Sequence, residues 1–166
     1  MNTSIKIHPA TNSQHFQTIE QLAWEILPEH YAPFVPDVHT KFLVEKFQTV
    51  KALQQQIQNN FEYYLLSYSE NIVGYVGIQI KKNSILLSKL YILKSHRKKG
   101  IGDVAMEFVI QRARKEKIKE IELIVNRKNY NTIEFYKKRG YIITEEQINT
   151  FENGHTVEDY KMIKTI

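Results

Sequence analysis

Hydrophobic residues recur at helical spacing in the first third of the chain. Apolar positions three and four residues apart predict three short helices within residues 12–57, after one short strand at residues 4–8. Asn12 or Ser13 is a suitable cap for the first helix, which should end near Pro28. Three of the four prolines lie in residues 28–36, so this stretch is not one regular element.

The middle of the chain changes to the alternating pattern that is typical of strands. Short polar turns divide it into three antiparallel strands, at residues 61–69, 72–81 and 84–93. The pattern then predicts a helix, a strand, a helix and a closing hairpin, at residues 100–115, 118–125, 131–139, and 141–149 with 156–163. This order predicts one α/β (α+β) domain over residues 1–166, with a mixed sheet flanked by helices.

The composition excludes several classes of protein. A chain of 166 residues with 42% hydrophobic and 25% charged residues is an ordinary globular domain. The absence of cysteine excludes disulfides, iron–sulfur clusters and a cysteine nucleophile. The six histidines lack metal-site spacing, so no metal is expected. Without a signal-peptide core or a membrane-length apolar run, we expect a complete cytoplasmic protein that does not bind membranes.

A formal charge of +5 favours anionic partners, and a basic run stands directly before two glycines. Residues 90–103 read LYILKSHRKKGIGD, a strand that continues into a basic loop and then a helix. The free N–H groups at the start of a helix bind anions, and glycine lets a phosphate approach the backbone. The segment therefore predicts a pyrophosphate site at Gly100 and Gly102.

Three other interpretations of this segment are weaker. A P-loop requires Lys followed by Ser or Thr after its second glycine, where this chain has Asp103. The spacing Gly100-x-Gly102-x-x-Ala105 fits the looser dinucleotide-binding fingerprint, but six polar or charged residues, Lys94–Lys99, separate it from the strand. Aromatic residues are not interleaved with the basic run, so we expect no nucleic-acid partner.

Two separate motifs resemble one enzyme family. Arg97-Lys-Lys-Gly-Ile-Gly102 has the form Arg/Gln-x-x-Gly-x-Gly/Ala. Residues 129–141 follow Asn-x-x-Ala-Ile-x-Phe-Tyr-x-x-x-Gly-Phe, with Thr132 in place of Ala and Tyr141 in place of Phe. Together they resemble the GCN5-related N-acetyltransferase (GNAT) superfamily over residues 84–141, and the order of elements extends the resemblance to the whole chain.

The resemblance implies a GNAT-like acyl-CoA N-acyltransferase fold with a splayed, mixed seven-stranded sheet. Acetyl-CoA would be the co-substrate and would enter between the strands at residues 84–93 and 118–125. A bulge at Leu90–Ile92 would offer a backbone N–H to the oxyanion of the reaction. The implied cofactor-binding residues are Leu90, Tyr91, Ile92, Arg97, Lys98, Lys99, Gly100, Ile101, Gly102, Asp103, Asn129 and Tyr136.

Tyr136 is also implied as the general acid. A phenol with a pKa near 10 is matched to a departing thiolate, and the absence of cysteine favours direct transfer in a ternary complex. Packing is the alternative role for Tyr136, one of ten tyrosines. Helix capping is the alternative for Asn129, and a cap is compatible with a cofactor contact.

The acceptor is expected to be a small primary amine bound near residues 26–40. Glu29, Tyr31 and Asp37 are candidates for holding its positive charge. With Gly74-Tyr-Val and Asp159-Tyr-Lys-Met, the chain is loosely similar to bacterial spermidine/spermine acetyltransferases, which favours a polyamine. A protein N-terminus, a lysine, another small amine and a non-catalytic acyl-CoA-binding module are alternatives. The general base and the oligomeric state, including a homodimer, stay open.

Overall fold

The computed structural model describes residues 4–166, in which helices cover both faces of one sheet. The strands are β1 (Ile5–Pro9), β2 (Phe61–Tyr68), β3 (Asn71–Ile80), β4 (Ile85–Ile92), β5 (Glu120–Asn126), β6 (Ile142–Thr150) and β7 (Thr156–Thr165). The helices are α1 (Ser13–Tyr31), α2 (Asp37–Phe47), α3 (Val50–Ile57), α4 (Ile101–Lys115) and α5 (Tyr130–Lys137).

The sheet has seven strands in the order β1-β2-β3-β4-β5-β7-β6. Neighbours are antiparallel except β4 and β5, which are parallel and are connected through α4. A parallel pair needs such a crossover connection, and the helical segment after β4 supplies it. The mixed seven-stranded sheet expected from the sequence is therefore confirmed.

Two hydrophobic cores lie on opposite faces of the sheet. The apolar stripe of α4, with Ala105, Val109 and Ala113, packs with α5 residues against one face. Helices α1 and α3 pack on the other face, where Ile19 and Leu53 have no exposed surface. The three helices before β2 therefore cover the face that α4 and α5 leave free.

Helix α1 continues past the proline where the sequence predicts its end. Pro28 removes one helical N–H donor, but its carbonyl accepts the N–H of Ala32 at 3.1 Å. Ile26 and Leu27 are buried at this turn and fix it against the sheet. The extra turn brings His30 and Tyr31 to the end of β4, which positions the site described below.

Candidate functional site

A gap opens between two neighbouring strands of the sheet. β4 and β5 pair only where they begin, at Ile85 with Ile121 and at Leu86 with Glu122. Beyond these residues β4 pairs only with β3, and β5 pairs only with β7. The strands therefore diverge toward their carboxyl ends, as the family resemblance implies.

A bulge in β4 marks the point of divergence. Gly77 pairs with Lys89, but the next residue of β3 pairs with Leu87, so Ser88 is an extra residue in β4. A bulge bends its strand and increases the local twist, which directs the rest of β4 away from β5. The sequence analysis expected the bulge at Leu90–Ile92. The structure has it before these residues, so we correct its position.

Leu90 and Ile92 turn their backbone polar groups toward the gap. The N–H of Leu93 donates to the carbonyl of Val73 at 2.8 Å. Hydrogen-bonded and non-hydrogen-bonded pairs alternate along an antiparallel ladder. By that alternation the polar groups of Tyr91 bind β3, while those of Leu90 and Ile92 point to the open edge. The two amide groups can bind a ligand that lies between β4 and β5.

The start of α4 leaves several backbone donors available. Lys98 and Gly100 have φ values of 61° and 84°, and Gly100 precedes the helix without a side-chain cap. The first backbone bond of the helix runs from the N–H of Val104 to the carbonyl of Gly100. The N–H groups of residues 101–103 therefore point out of the helix start, where its dipole is positive. This arrangement suits a phosphate group.

The basic residues of the loop have different environments. Lys98 and Lys99 are exposed beside the start of α4. Arg97 donates through Nε to the carbonyl of Ile92 at 3.0 Å, and its two terminal nitrogens bind both carboxylate oxygens of Glu29, at 3.1 and 2.5 Å. The sequence assigned Arg97 to the cofactor and Glu29 to the acceptor. In the structure these two side chains form a bidentate pair that satisfies both charges, and their assignments to cofactor and acceptor stay predictions.

The side chains in the first turn of α4 are engaged with other parts of the protein or absent. Ile101 is buried in the core, and Asp103 accepts a hydrogen bond from Arg139 at 2.5 Å, which lowers the pKa of that carboxyl. A Cβ on Gly102 would lie 3.2 Å from the ring of Phe135. Any contact of these three residues with a phosphate therefore comes from their backbone N–H groups.

Asn129 connects α5 to α1. Its Oδ1 accepts the N–H of Thr132 at 3.3 Å, so the capping role is present. Its Nδ2 lies 3.3 Å from Nε2 of His30. Burial lowers the pKa of His30, and the nearby charge of Arg97 lowers it further, so the imidazole is neutral and can accept that bond. Asn129 thus fixes the C-terminal end of α1 at the gap.

Three phenols meet at the gap from opposite faces of the sheet. The hydroxyls of Tyr31 and Tyr91 are 2.8 Å apart. Tyr136 comes from α5, is 8% exposed, and lies close enough to Tyr31 and Tyr91 to interact with them electrostatically. Burial raises the pKa of Tyr136, and the phenol of Tyr31 adds to this shift. Tyr136 is therefore protonated at neutral pH and faces groups from the other side of the sheet.

The remaining acceptor candidate, Asp37, is exposed as the first residue of α2 and has no ion pair in the described part of the chain. The sequence analysis named Asp159 in the closing motif but did not assign this carboxylate to the site; it is buried in β7 opposite the last residue of β5. The alternation along β7 could have found it, because Met162 is buried in the core and Asp159 lies on the opposite face.

Two further properties concern residues 4–166 as a whole. No helix in this range is long and apolar enough to cross a membrane. No three His, Asp or Glu side chains in the same range are grouped closely enough to hold a metal ion.

Comparisons with known proteins identify one family. The acetyltransferase (GNAT) domain family matches residues 29–164. An uncharacterised protein of Bacillus subtilis, YxbD, is 27% identical over 96 residues, which cover 58% of this chain and 59% of that protein. This chain therefore spans less than two thirds of the length of that curated relative.

Solved structures share the fold over nearly the whole chain. The PaiA N-acetyltransferase of Thermoplasma acidophilum, in complex with coenzyme A, superposes with a TM-score of 0.78 at 20% identity, and the match covers 98% of this chain and 99% of that one. A GCN5-related N-acetyltransferase of Rhodopseudomonas palustris gives a TM-score of 0.82 at 12% identity, with coverage of 100% and 99%. At such identities the likeness concerns the fold.

Proposed function

Because this chain belongs to the GNAT acetyltransferase family, we propose that it transfers the acetyl group of acetyl-CoA to a primary amine. The observation that carries the proposal is the gap between β4 and β5, toward which backbone amides of β4 point and beside which the phenol of Tyr136 lies near those of Tyr31 and Tyr91. Direct attack of the amine in a ternary complex needs no residue that forms a covalent intermediate. The chain contains no cysteine for that purpose.

The helix start suits the diphosphate of coenzyme A. The N–H groups of residues 101–103 would bind phosphate oxygens, and Lys98 and Lys99 would add positive charge. No atom lies within 4 Å of the position that a Cβ on Gly100 would occupy, so a phosphate has access to the backbone there. The Thermoplasma acidophilum neighbour holds coenzyme A, which supports this choice of ligand.

The groups at the gap suit the two charges that develop during acetyl transfer. The thioester of acetyl-CoA supplies the activated acetyl group. The N–H of Leu90 would stabilise the negative charge on the carbonyl oxygen while the amine attacks. The hydroxyl of Tyr136 would donate its proton to the departing thiolate, since its raised pKa keeps the phenol protonated at neutral pH.

A polyamine is the narrower proposal for the acceptor. Its support is the loose likeness of the sequence to spermidine/spermine acetyltransferases and the aromatic rings of His30, Tyr31, Phe34 and Tyr91, which pack together at the gap. Tyr31 would contribute its ring to this site. Glu29 would contribute charge only through its pair with Arg97, and Asp37 from the start of α2.

Thiol release from acetyl-CoA tests the proposal. We expect thiol release that depends on both acetyl-CoA and an added amine from a panel of spermidine, propylamine, 2-phenylethylamine and an N-terminal peptide. Tight binding of acetyl-CoA without release with any of them would favour the alternative, a non-catalytic acyl-CoA-binding module. Turnover of propylamine but not of spermidine would reject the polyamine while leaving acetyl transfer intact.

A further inference from the structure

Asp159 is a buried carboxylate that has no cationic partner. The residue is 9% exposed, and its Oδ2 accepts a hydrogen bond from Nδ2 of Asn149 at 2.8 Å. No Lys, Arg or His of residues 4–166 lies within ion-pair distance of it. Burial raises the pKa of Asp159, and the bond from Asn149 opposes this shift. The carboxylate is thus only partly stabilised by the chain itself.

The other buried carboxylate among residues 4–166, that of Glu122, is neutralised by cations, and so is the half-buried Glu62. Glu122 is bound by Lys81 and approached by Lys161 at 3.8 Å. Glu62 accepts two hydrogen bonds from Arg112. A buried charge without a partner is costly, so such a group in a folded protein calls for a ligand that supplies the partner.

Asp159 lies where the acceptor would approach. In the sheet it stands between Asn126, the last residue of β5, and Gln147 of β6. Its side chain is on the face opposite Met162, which packs in the core beneath α4 and α5. The negative charge of Asp159 raises the pKa of Tyr31, so the carboxylate is close to the phenols at the gap.

We propose that Asp159 binds the ammonium group of the acceptor amine and takes one proton from it. This inference rests on the proposed acetyl transfer and identifies the base for that reaction. The ammonium passes one N–H proton to the carboxylate, and the neutral amine then attacks the thioester carbon. A C–N bond forms and the C–S bond breaks. Tyr136 protonates the thiolate sulfur and recovers the second proton from the attacking nitrogen, and Asp159 later releases its proton to water.

The side chains near Asp159 are less suited than Asp159 to act as the base. The phenols of Tyr31, Tyr91 and Tyr136 all have raised pKa values because they are buried, so they do not act as bases at neutral pH. His30, on α1, is the other group that could accept a proton. Of the charged groups on these strands and directly after β5, Lys161 pairs with Glu122 and Glu145, and Arg127 pairs with Glu158, while Glu146 of β6 is exposed.

The pH dependence of amine turnover tests this assignment. In the unmodified protein, the reactive forms are the Asp159 carboxylate and the propylammonium ion, which bind each other. The value of kcat/KM for propylamine should therefore be constant from the pH at which Asp159 titrates up to the pKa of the amine, near 10. Asp159→Asn keeps the shape of the side chain and an oxygen that can accept from Asn149. Its kcat/KM should fall by about 10²-fold at pH 7 and then rise about tenfold per pH unit, because only the neutral amine is then productive.

Three further variants control the result. Glu146→Gln removes an exposed carboxylate from β6 and should leave the profile unchanged. His30→Asn should keep the pH range over which kcat/KM is constant. If that range is lost in His30→Asn, His30 is the base and the proposal is overturned. Asn149→Ala removes the bond that lowers the pKa of Asp159, so the acidic limb should move to higher pH. This variant tests the assignment even if Asp159→Asn does not fold.

The failure of this inference is distinguishable from the failure of acetyl transfer. If the unmodified protein releases thiol with propylamine and the folded Asp159→Asn variant has the same profile, only the assignment of Asp159 is wrong. If the unmodified protein binds acetyl-CoA but releases no thiol with any amine of the panel, the proposed function is wrong, and the role of Asp159 is rejected with it.

Discussion

Gly100 and Gly154 have nearly the same backbone conformation in two different places. Their φ values are 84° and 81°, and no atom lies within 4 Å of a Cβ built on either. A residue with a side chain is strained at such a φ, at a cost of about 1 kcal/mol relative to glycine. Gly100 precedes α4 at the proposed phosphate site, whereas Gly154 lies in the turn between β6 and β7. The same substitution at the two glycines therefore separates the effect of backbone strain from the loss of phosphate binding.

We predict that Gly100→Asp binds coenzyme A at least 100-fold more weakly than the unmodified protein. The new carboxylate would stand at the start of α4 and repel phosphate. Isothermal titration calorimetry measures the affinity, and thermal unfolding measures the strain. Gly154→Asp should lower the melting temperature to a similar extent and leave the affinity unchanged. Equal affinity of the two folded variants would reject the phosphate site.

Tyr136 and Tyr141 offer a similar comparison between two phenols whose rings meet edge to face. Their ring centroids are 5.4 Å apart, and both side chains are buried. The hydroxyl of Tyr141 is fully buried without a hydrogen-bond partner among residues 4–166. The phenol of Tyr136 instead lies near Tyr31 and Tyr91. The two buried phenols therefore differ in their surroundings at the hydroxyl and in their proposed roles.

We predict that Tyr136→Phe lowers kcat by about 10²-fold, the usual scale for a general acid, with little change in affinity for coenzyme A. The ring and its packing remain, so only the proton donor is lost. Tyr141→Phe should keep full kcat, and its stability should be equal or slightly higher because an unsatisfied hydroxyl is removed. Single-turnover rates with propylamine measure the activity of both variants. Full activity of Tyr136→Phe would remove it as the acid.

At the scale of elements, Lys89 connects the bulged part of β4 to α3 and β2. Its Nζ donates to Oε1 of Gln56 at 2.8 Å and to the hydroxyl of Tyr63 at 2.5 Å. It also lies 5.3 Å from the centroid of the Phe61 ring. No carboxylate of residues 4–166 pairs with it, and burial lowers the pKa of Lys89 to about 7.

We predict that this lysine makes the protein more stable at pH 9 than at pH 7. Between the folded pKa near 7 and the ordinary value near 10.4, the unfolded chain binds a proton that the folded chain does not. Stability therefore rises with pH in this window, by about 1–2 kcal/mol. Urea unfolding at the two pH values measures the change. Lys89→Met should lose most of this rise, whereas the exposed Lys82→Met should keep it. An unchanged rise in Lys89→Met would contradict the assignment.

The sequence predicts the elements well where a local signal determines them. Residues 101–115 have the apolar stripe of α4, and the helix occurs there. Pro28 gives a misleading local signal, because the burial of Ile26 and Leu27 against the sheet keeps the last turn of α1 helical. The extra residue Ser88 depends on the pairing of β4 with β3, which a pattern along one strand does not contain.

The same difference separates the predicted parts of the site from the missed ones. Gly100, Gly102 and Tyr136 stand in short motifs with a local chemical reason. The structure places the two glycines at the start of α4 and Tyr136 close to the phenol of Tyr91. The pair of Arg97 with Glu29 joins residues that are 68 positions apart. The raised pKa of Asp159 comes from its burial in the folded protein near α1, which is far from Asp159 in the sequence. Such contacts depend on the assembled fold rather than on spacing.

At the scale of the whole molecule, the closing hairpin packs against α2 through aromatic rings. His39 of α2 has no exposed surface, and its ring centroid lies 3.9 Å from that of His155. Its Nδ1 is 3.1 Å from Nδ2 of Asn153, and its Nε2 is buried without a partner among residues 4–166. This contact connects the first and last parts of the chain on the α1 side of the sheet.

The contact has no group that would stabilise a positively charged His39. Beside it, Lys46 of α2 pairs with Glu152 of the hairpin, so this carboxylate is already neutralised. Burial lowers the pKa of His39, and the neighbouring His155 lowers it further. The neutral imidazole can accept from Asn153 through Nδ1, whereas protonation would place a proton on both ring nitrogens.

We predict that the protein loses stability as the pH falls below about 6.5, the ordinary pKa of histidine. The folded pKa of His39 is depressed, so its stabilising effect is present above that pH and is lost as the pH falls through the folded value. His39→Asn keeps an oxygen that can accept from Asn153 but does not titrate. The fall in melting temperature between pH 7.5 and pH 5 should be smaller in this variant than in the unmodified protein. His8→Asn removes an exposed histidine from β1 and should not change the fall. If His39→Asn loses as much stability as the unmodified protein over this range, groups outside the contact between α2 and the hairpin control the acid response.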